Sequence, residues 1–264
     1  LMIKPKKSLG QNFLIDNNIL NKIIKISDIK NNSIVEIGPG TGNLTKKIIE
    51  NKPKNLILIE KDIELTKYLK KEFFNQKNLK IFNEDVLKFN FEDKINKNSV
   101  IIGNLPYNIS SQILAKLIKF KEWLPKYKKL ILMFQKEVAD KILAKHTTSS
   151  FGRLAVLTNA RLNVLECFNV SPNCFYPVPK VMSSVLVFEP IENPDFNVKN
   201  ITNLEKITHI FFSKKRKMIN KAFRTLFEKP EEIAKKIDID LNLRPNQISE
   251  KQYYEITEYF EKKK

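Results

Sequence analysis

Short runs of Val, Ile and Leu alternate with charged, helix-like segments through the first 190 residues of this 264-residue chain. A strand that is apolar on both sides must be covered on both faces, and strands separated by helices usually run parallel. The pattern therefore predicts a Rossmann-like α/β fold with a mostly parallel sheet. The runs at 162–168 and 181–188 have no clear helix between them, which predicts an antiparallel last strand. The other predicted strands are 34–37, 56–59, 79–82, 100–102 and 130–134.

The character of the sequence changes near residue 190. Pro190 and Pro194 are typical of a linker, and after about residue 203 only amphipathic helical patterns follow. We therefore expect a Rossmann-like domain over 1–192 and a small C-terminal helical domain over 193–264.

The chain is strongly basic, since 47 Lys and Arg against 29 Asp and Glu give a formal net charge of +18. Lys and Arg displace condensed counterions from phosphates, so a nucleic acid is a natural partner. However, 42 of the cations are Lys, and the chain is also rich in Asn and Ile. A general compositional bias would explain the same charge, so charge alone leaves both explanations open.

Composition also excludes several classes of protein. No apolar run approaches the ~20 residues that a membrane helix needs, and no apolar stretch follows the basic start as in a signal peptide. Cys167 and Cys174, with two histidines far from both, form neither a disulfide framework nor a zinc-binding pattern. We therefore expect a cytoplasmic protein with no membrane span and no bound metal.

Three of the six glycines lie together in the segment 36–42, between a predicted strand and a predicted helix. Gly38 and Gly40 allow a tight turn and the close approach of a ligand to helix-terminal N–H groups. Glu60 ends the next strand, 22 residues after Gly38. A carboxylate there accepts hydrogen bonds from the two hydroxyls of a ribose, so these residues predict a nucleoside site.

Charge near this loop distinguishes between nucleosides. Glu36 precedes Gly38 by two residues and would repel a pyrophosphate, and the G-x-G-x-G spacing differs from that of dinucleotide sites. S-adenosylmethionine carries a ribose, an adenine, an ammonium and a sulfonium but no phosphate, so it suits this setting. Asp85, just after the third predicted strand, suits the amino group of the cofactor adenine, although on its own it would fit a helix cap equally well.

A third loop, 103–108, follows the fourth predicted strand, where open α/β sheets bind ligands. The lone pair of an adenine N6 is delocalised into the ring, so this amine is a poor nucleophile. The Asn104 side-chain oxygen and the Leu105 carbonyl would accept its N–H groups, Pro106 would fix the turn, and Tyr107 would stack on a flipped base. The alternative is a simple proline turn. The site reading predicts N6 methylation driven by positioning and local electrostatics.

At this point the chain resembles the family of small-subunit (16S) ribosomal RNA adenine N6,N6-dimethyltransferases, which is linked to kasugamycin sensitivity. The resemblance covers essentially the whole length. It rests on the glycine loop, Glu60, Asp85 and further motifs in the same order. These motifs are 7–14, 104–110, 135–139, 151–154, 170–172, 175–181, 216–217 and 244–245. Departures from commoner residues at Ala155, Ser171 and Tyr176 touch none of the proposed chemistry.

The resemblance implies transfer of two methyl groups to N6 of each of two adjacent adenosines near the 3′ end of small-subunit rRNA, within a pre-30S particle, by a probable monomer's worth of machinery in one chain. It also implies that about 1–30 form a lid over the cofactor, and that Phe175 and Tyr107 sandwich the target adenine. Core packing would equally explain a Phe at 175. The cofactor contacts that it implies, with Gly40 of the same loop, are Asn12, Leu14, Gly38, Glu60, Asp85 and Asn104.

The segment 206–224 has seven cations and no carboxylate, with apolar residues at helical spacing that we assign to the core. A solvated face is the default for such a run, and the net charge favours contact with phosphates. The residues that we expect to bind RNA are Lys214, Lys215, Arg216, Lys217, Lys221 and Arg224.

Three functions remain open from the sequence: the small-subunit enzyme, a large-subunit adenine methyltransferase of the macrolide-resistance type, and a non-catalytic ribosome-assembly factor. Gly10 before Gln11 and the long helical tail favour the first. The intact glycine loop and the intact turn 104–107 argue against a protein that has lost catalysis. A DNA adenine methylase is more distant, because its loop usually carries two prolines.

Overall fold

The computed structural model describes residues 5–6 and 10–262, and the chain divides into two compact units. The first unit extends to Ala139 and includes Asn163–Pro190, and the second comprises Asp140–Leu162 and the chain from Ile191. In chain order the strands are β1 (Phe13–Leu14), β2 (Ser33–Ile37), β3 (Asn55–Glu60), β4 (Leu79–Asn83), β5 (Ser99–Asn104), β6 (Tyr127–Gln135), β7 (Leu162–Val170), β8 (Phe175–Tyr176) and β9 (Ser183–Pro190). The helices are α1 (Asn17–Ser27), α2 (Asn43–Glu50), α3 (Ile63–Glu72), α4 (Phe91–Lys94), α5 (Ser110–Ile118), α6 (Lys136–Leu143), α7 (Arg153–Arg161), α8 (Ile201–Phe212), α9 (Asn220–Leu226), α10 (Pro230–Lys236) and α11 (Glu250–Lys262).

The first unit contains a seven-stranded sheet in the order β4-β3-β2-β5-β6-β9-β7. β4, β3, β2, β5 and β6 are parallel, and β9 runs antiparallel to β6. The chain builds outward from β2 in one direction and from β5 in the other, so the sheet has its topological switch point between these two strands. The predicted α/β class, with a mostly parallel sheet and an antiparallel late strand, is confirmed.

Burial on both faces explains why the strands read as continuous apolar runs. In β2, β3 and β5 the side chains Ile34, Leu58, Val100 and Ile102 are all at most 1% exposed and belong to one core cluster. Burial of each such side chain stabilises the fold by about 1.5–3 kcal/mol, before the cost of chain ordering. This rigid sheet fixes the ends of β2, β3 and β5 relative to one another.

The second unit is helical, and no strand follows β9 in the described part of the chain. Its core contains Phe211, Phe223 and Tyr253, whose rings meet at centroid distances of 5.5–5.7 Å. The predicted boundary at 192/193 lies two residues from the observed return at Ile191, but the prediction missed that 140–162 also belong to this unit. The 151–154 motif begins α7, a helix that our strand and helix assignments did not include.

None of the helices in the described part of the chain combines the length and the apolar character that a bilayer crossing requires. The described residues also contain no cluster of three or more His, Cys, Asp or Glu side chains arranged to hold a metal ion.

Close packing of β5 against β2 gives a first prediction. A Cβ added at Gly103 would lie 2.8 Å from Leu105 Cδ2, 3.2 Å from Ile37 Cβ and 3.3 Å from the Ile37 carbonyl oxygen. The Leu105 methyl group can move, but Ile37 is the strand partner of Gly103 and cannot. We expect Gly103→Ala to lower the free energy of unfolding by about 1–3 kcal/mol in urea denaturation.

Gly152→Ala is the matched control, because a Cβ there meets no atom within 4 Å. We expect it to change the free energy of unfolding by less than about 1 kcal/mol. Equal unfolding midpoints for the two variants would contradict the packing explanation.

Candidate active site

The glycine loop connects β2 to α2 at the carboxyl end of the sheet. Gly38, Gly40 and Gly42 all have positive φ angles, of 65°, 57° and 81°. At Gly40 the absence of a side chain also matters, because a Cβ would lie 2.6 Å from Cδ1 of Phe13. The loop therefore turns sharply into α2 while the segment around Phe13 packs directly against its backbone.

Glu60 ends β3 beside this loop and is only 7% exposed. Its Oε1 accepts from the Asp62 N–H at 2.8 Å, and its Oε2 accepts from the Gly40 N–H at 3.3 Å. Burial raises the pKa of this carboxyl group, and the two backbone N–H groups partly offset that rise. A buried carboxylate with remaining lone pairs is a strong acceptor for ribose hydroxyls.

Glu36 is a second buried carboxyl group on the cavity wall, 2% exposed. Thr45, on α2, donates its hydroxyl to Glu36 Oε2 at 2.6 Å. Burial raises the pKa of Glu36 to about 8, the Thr45 hydrogen bond lowers it, and the nearby Glu60 carboxylate raises it further. A cationic ligand would stabilise the ionised form of this group.

Asp85 lies in the loop after β4. It accepts from Lys61 Nζ at 2.9 Å and from the Leu87 N–H at 2.9 Å. The Lys61 ammonium group is the main reason that the pKa of Asp85 lies below its usual value. Lys116, on α5, donates to the Leu87 carbonyl at 2.6 Å and so ties this loop to the neighbouring helix.

Asn104 is the last residue of β5, and its side-chain Nδ2 donates to the Asn12 carbonyl at 2.8 Å. Since the amide nitrogen is engaged, Oδ1 is left as the acceptor end of the side chain. Pro106 follows, and its carbonyl accepts from the Ile109 N–H at 3.1 Å, which closes the turn. The Tyr107 hydroxyl lies 2.7 Å from the Ser183 hydroxyl.

All of these loops open into one cavity of about 230 Å³ within the first unit. The described residues that line it include the glycine loop, the 104–107 turn and the 10–14 segment. Among them the carboxylates are Glu36, Glu60, Glu84 and Asp85, and the single cation is Lys61. An acidic cavity with a ribose acceptor suits a nucleoside that carries positive charge and no phosphate. Fold and cavity together define the class as an S-adenosylmethionine-dependent methyltransferase.

The sequence matches the ribosomal RNA adenine dimethylase family over residues 2–262. It is 46% identical to the ribosomal RNA small subunit methyltransferase A of Pelagibacter ubique, over 99% of this chain and 98% of that protein. It is 41% identical to the protein of the same name from Malacoplasma penetrans, over 94% and 89% of the two chains. The chain therefore belongs to the ribosomal RNA adenine dimethylase family, and the predicted family is confirmed.

Solved structures agree with this assignment. The crystal structure of a dimethyladenosine transferase from Plasmodium falciparum has a TM-score of 0.80 at 29% identity and covers 95% of this chain and 98% of that chain. The 23S rRNA methyltransferase ErmE has a TM-score of 0.67 at 21% identity, covering 95% of this chain and 100% of its own, and shows the shared fold alone.

The structure brings most of the predicted site residues together. The predicted cofactor contacts Asn12, Leu14, Gly38, Gly40, Glu60, Asp85 and Asn104 all line the cavity, as do Leu105, Pro106 and Tyr107. The sequence reasoning missed Asp62, which is 4% exposed and accepts from Gln11 Nε2 at 3.1 Å and from Lys6 Nζ at 3.0 Å. Its position at the N-cap of α3, two residues after Glu60, was the available signal.

The prediction for Phe175 needs correction. Phe175 is 1% exposed, belongs to the core cluster and does not line the cavity. β8 pairs with β1, with Leu14 opposite Phe175 and Phe13 opposite Tyr176. Because side chains alternate along a strand, Phe175 points into the core with Leu14, and Tyr176 is 60% exposed. Phe175 therefore offers no face to a base in this structure.

The predicted cationic helix is also interrupted. α8 ends at Phe212 and α9 begins at Asn220, so four of the six cations lie in the connection between them. Lys215 donates its ammonium group to the Ser149 carbonyl and is half-buried, whereas the other five are exposed. The predicted core residues Ile207, Phe211, Ile219 and Phe223 are buried.

The buried Glu36 gives a prediction about cofactor affinity and pH. With a pKa of about 8, Glu36 is mostly neutral below pH 8 and becomes ionised above it. An ionised carboxylate attracts the sulfonium of S-adenosylmethionine, whereas S-adenosylhomocysteine has no charge on sulfur. We expect the ratio of the two affinities, measured by calorimetry, to favour S-adenosylmethionine about three- to tenfold more at pH 9 than at pH 6.5.

Two variants of this pair test the cause. Glu36→Gln should make the ratio independent of pH, and Thr45→Val should move the transition to higher pH because the hydroxyl stabilises the carboxylate. A ratio that keeps its pH dependence in Glu36→Gln would assign the effect to another group, with Glu60 the nearest.

Proposed function

We propose that this enzyme transfers methyl groups to N6 of two adjacent adenosines near the 3′ end of small-subunit rRNA, giving N6,N6-dimethyladenosines. The observation that carries the proposal is that Glu60 and the 104–107 turn line the same cavity. The names of the relatives support the small subunit as substrate. We further propose that the substrate is a pre-30S particle and that the protein acts as a monomer in the cytoplasm without a metal ion.

The cofactor-binding roles follow from the geometry. Glu60 accepts from the ribose hydroxyls, and Asp85 accepts from the amino group of the adenine. The backbone at Gly38 and Gly40 provides the close approach, and Glu36 faces the positive charge. S-adenosylmethionine, when bound, supplies a methyl group on a sulfonium, which is a good leaving group.

The 10–14 segment closes the cofactor site in this proposal. Asn12 and Leu14 line the cavity, and the Asn12 carbonyl holds the Asn104 amide. On the other side, Gln11 is held by Asp62. The segment thus contacts both the ribose side and the target side, as a lid over the cofactor must.

Asn104 and Leu105 prepare the target amine. Asn104 Oδ1 and the Leu105 carbonyl accept the two N6–H groups, which favours a more pyramidal nitrogen with an available lone pair. A bond forms between N6 and the methyl carbon as the carbon–sulfur bond breaks, and the proton then leaves N6. No strong base is needed, because the leaving sulfur becomes neutral. Pro106 fixes the turn, and Tyr107 stacks on the flipped base.

The cationic cluster on the second unit holds the rRNA. Lys214, Arg216, Lys217, Lys221 and Arg224 are exposed and available to phosphates. Phosphate contacts position a protein but carry no sequence information, so the cluster provides grip and the 104–107 turn provides the choice of base.

The two alternatives are not favoured. A large-subunit methyltransferase shares the fold, but the structural likeness to ErmE is at 21% identity and extends to the fold alone. A non-catalytic assembly factor would have no need for a cavity that joins a ribose acceptor to an intact 104–107 turn.

Asn104→Ala tests the chemistry. We expect the rate of methyl transfer to unmethylated small subunits to fall at least ~100-fold, because the acceptor for the amine is lost. S-adenosylhomocysteine affinity should stay within about tenfold, since Glu60 and Asp85 are unchanged. The measurement is nucleoside analysis for dimethyladenosine after incubation with labelled cofactor.

Asn108→Ala is the control, because Asn108 lies in the same turn but is exposed. It should slow transfer less than about tenfold. An Asn104→Ala enzyme that turns over at the wild-type rate would refute the proposed role.

Salt dependence tests the RNA surface. The affinity for small subunits should fall steeply with salt, and changing Lys214, Arg216 and Lys217 together to Gln should flatten the log–log slope by about two to three units. Lys215 is left in place because it contacts Ser149. The control changes Lys67, Lys70 and Lys71 on α3 to Gln, which removes the same charge from exposed positions elsewhere. Equal slopes in the two triple variants would place the RNA surface away from 214–217.

A further inference from the structure

The hydroxyl contact between Tyr107 and Ser183 links the proposed base-stacking residue to a strand outside the 104–107 turn. The two oxygens are 2.7 Å apart, and Ser183 is fully buried. We infer that Ser183 is a positioning residue that holds the Tyr107 ring at the angle needed to stack on the target adenine. The inference rests on the proposed function, because it concerns the residue that receives the target base.

Sheet topology explains why Ser183 reaches this place. β9 runs antiparallel to β6, so its first residue lies at the edge where β5 and β6 end. Asn104 pairs with Met133, whereas Ser183 pairs with Gln135, two residues further along β6. Ser183 is therefore level with the turn that follows Asn104, and an all-parallel sheet would have placed the start of this strand at the opposite edge.

The ring of Tyr107 is held at both ends. At the backbone end, the Ile109 N–H bonds the Pro106 carbonyl at 3.1 Å, and the Ser110 hydroxyl donates to the Tyr107 carbonyl at 3.3 Å. At the far end, the hydroxyl meets Ser183 across the end of β6, two strand spacings or roughly 10 Å from β5. With both ends fixed, the ring has little freedom to rotate away from a stacking position.

Alternation along β9 separates this role from ordinary packing. Val185, two residues from Ser183 and on the same side of the strand, lines the cavity. Ser184 points to the opposite side, where its hydroxyl donates to Asn169 Oδ1 at 2.8 Å. Both serines are fully buried and both hydroxyls are hydrogen-bonded, yet only Ser183 contacts a residue of the active-site turn.

The burial of the tyrosine tip agrees with a mechanical role. Burial raises the pKa of the Tyr107 hydroxyl, and the contact with Ser183 partly offsets that rise. The hydroxyl therefore stays protonated at neutral pH and serves as a hydrogen-bonding end for the ring, not as an acid or base.

The experiment compares Ser183→Ala, Tyr107→Phe, the double variant and Ser184→Ala as the matched control. First-turnover methyl transfer is measured with saturating labelled cofactor and unmethylated small subunits. We expect Ser183→Ala and Tyr107→Phe each to lower the rate about three- to tenfold, the change that one net neutral hydrogen bond accounts for. The double variant should be no slower than the slower single variant, because both changes remove the same bond.

Ser184→Ala should lose a similar amount of thermal stability but keep the first-turnover rate within twofold. S-adenosylhomocysteine affinity and the KM for small subunits should stay within about twofold in all four variants. A Ser183→Ala rate equal to that of Ser184→Ala, or additive effects of the two single changes, would overturn the inference while leaving the proposed function intact. A wild-type protein that forms no dimethyladenosine would overturn the proposed function, and the inference with it.

Discussion

The buried carboxylate of Glu60 is the contact on which the rest of the site depends. It accepts the Gly40 N–H from the glycine loop and the Asp62 N–H from the start of α3. Two segments that are twenty residues apart are thereby held at one sheet edge around a single acceptor. Burying a carboxylate is costly without such partners, so the two N–H groups maintain its acceptor capacity in the absence of solvent. A ribose that occupies the remaining lone pairs completes an arrangement that the fold has already prepared.

Asp62 extends this arrangement to the amino-terminal segment. It is bound by the side chains of Gln11 and Lys6, while the next residue along, Asn12, gives its carbonyl to the Asn104 amide. One short stretch of chain thus spans the cavity from the ribose acceptor to the proposed catalytic turn. The consequence is that cofactor enclosure and orientation of Asn104 are physically linked. The Asn104 oxygen faces the target amine only while the nitrogen is occupied by Asn12.

The sequence allowed the strands and the cavity residues to be predicted because their signals are local. A run such as 100–102 is buried on both faces whatever surrounds it, and glycine-rich turns with positive φ have few substitutes. Phe175 was misplaced for the opposite reason. Its orientation depends on the pairing of β8 with β1, more than 160 residues away in sequence, and a register of one residue decides whether Phe175 or Tyr176 faces outward.

Two other features required the three-dimensional structure. Residues 140–162 join the helical unit through contacts with segments beyond residue 190, which no local pattern in 140–162 indicates. Ser183 looked like an ordinary polar residue at the start of a strand. Its contact with Tyr107 follows from the antiparallel direction of β9, which was predicted, combined with a strand order that the sequence does not specify.

Charge is distributed so that cofactor and RNA are recognised by opposite fields. The chain carries a net charge of +18, yet the cavity is lined by four carboxylates and one lysine among its described residues. A phosphate would be repelled from that cavity, while a sulfonium is attracted to it. An adenine base is neutral and is affected by neither field, so it can leave a phosphate backbone held by lysines and enter an acidic pocket. This separation explains how a strongly basic protein binds a cationic cofactor next to a polyanionic substrate. It also explains why selection of the base must depend on hydrogen bonds at Asn104 and stacking at Tyr107, and not on charge.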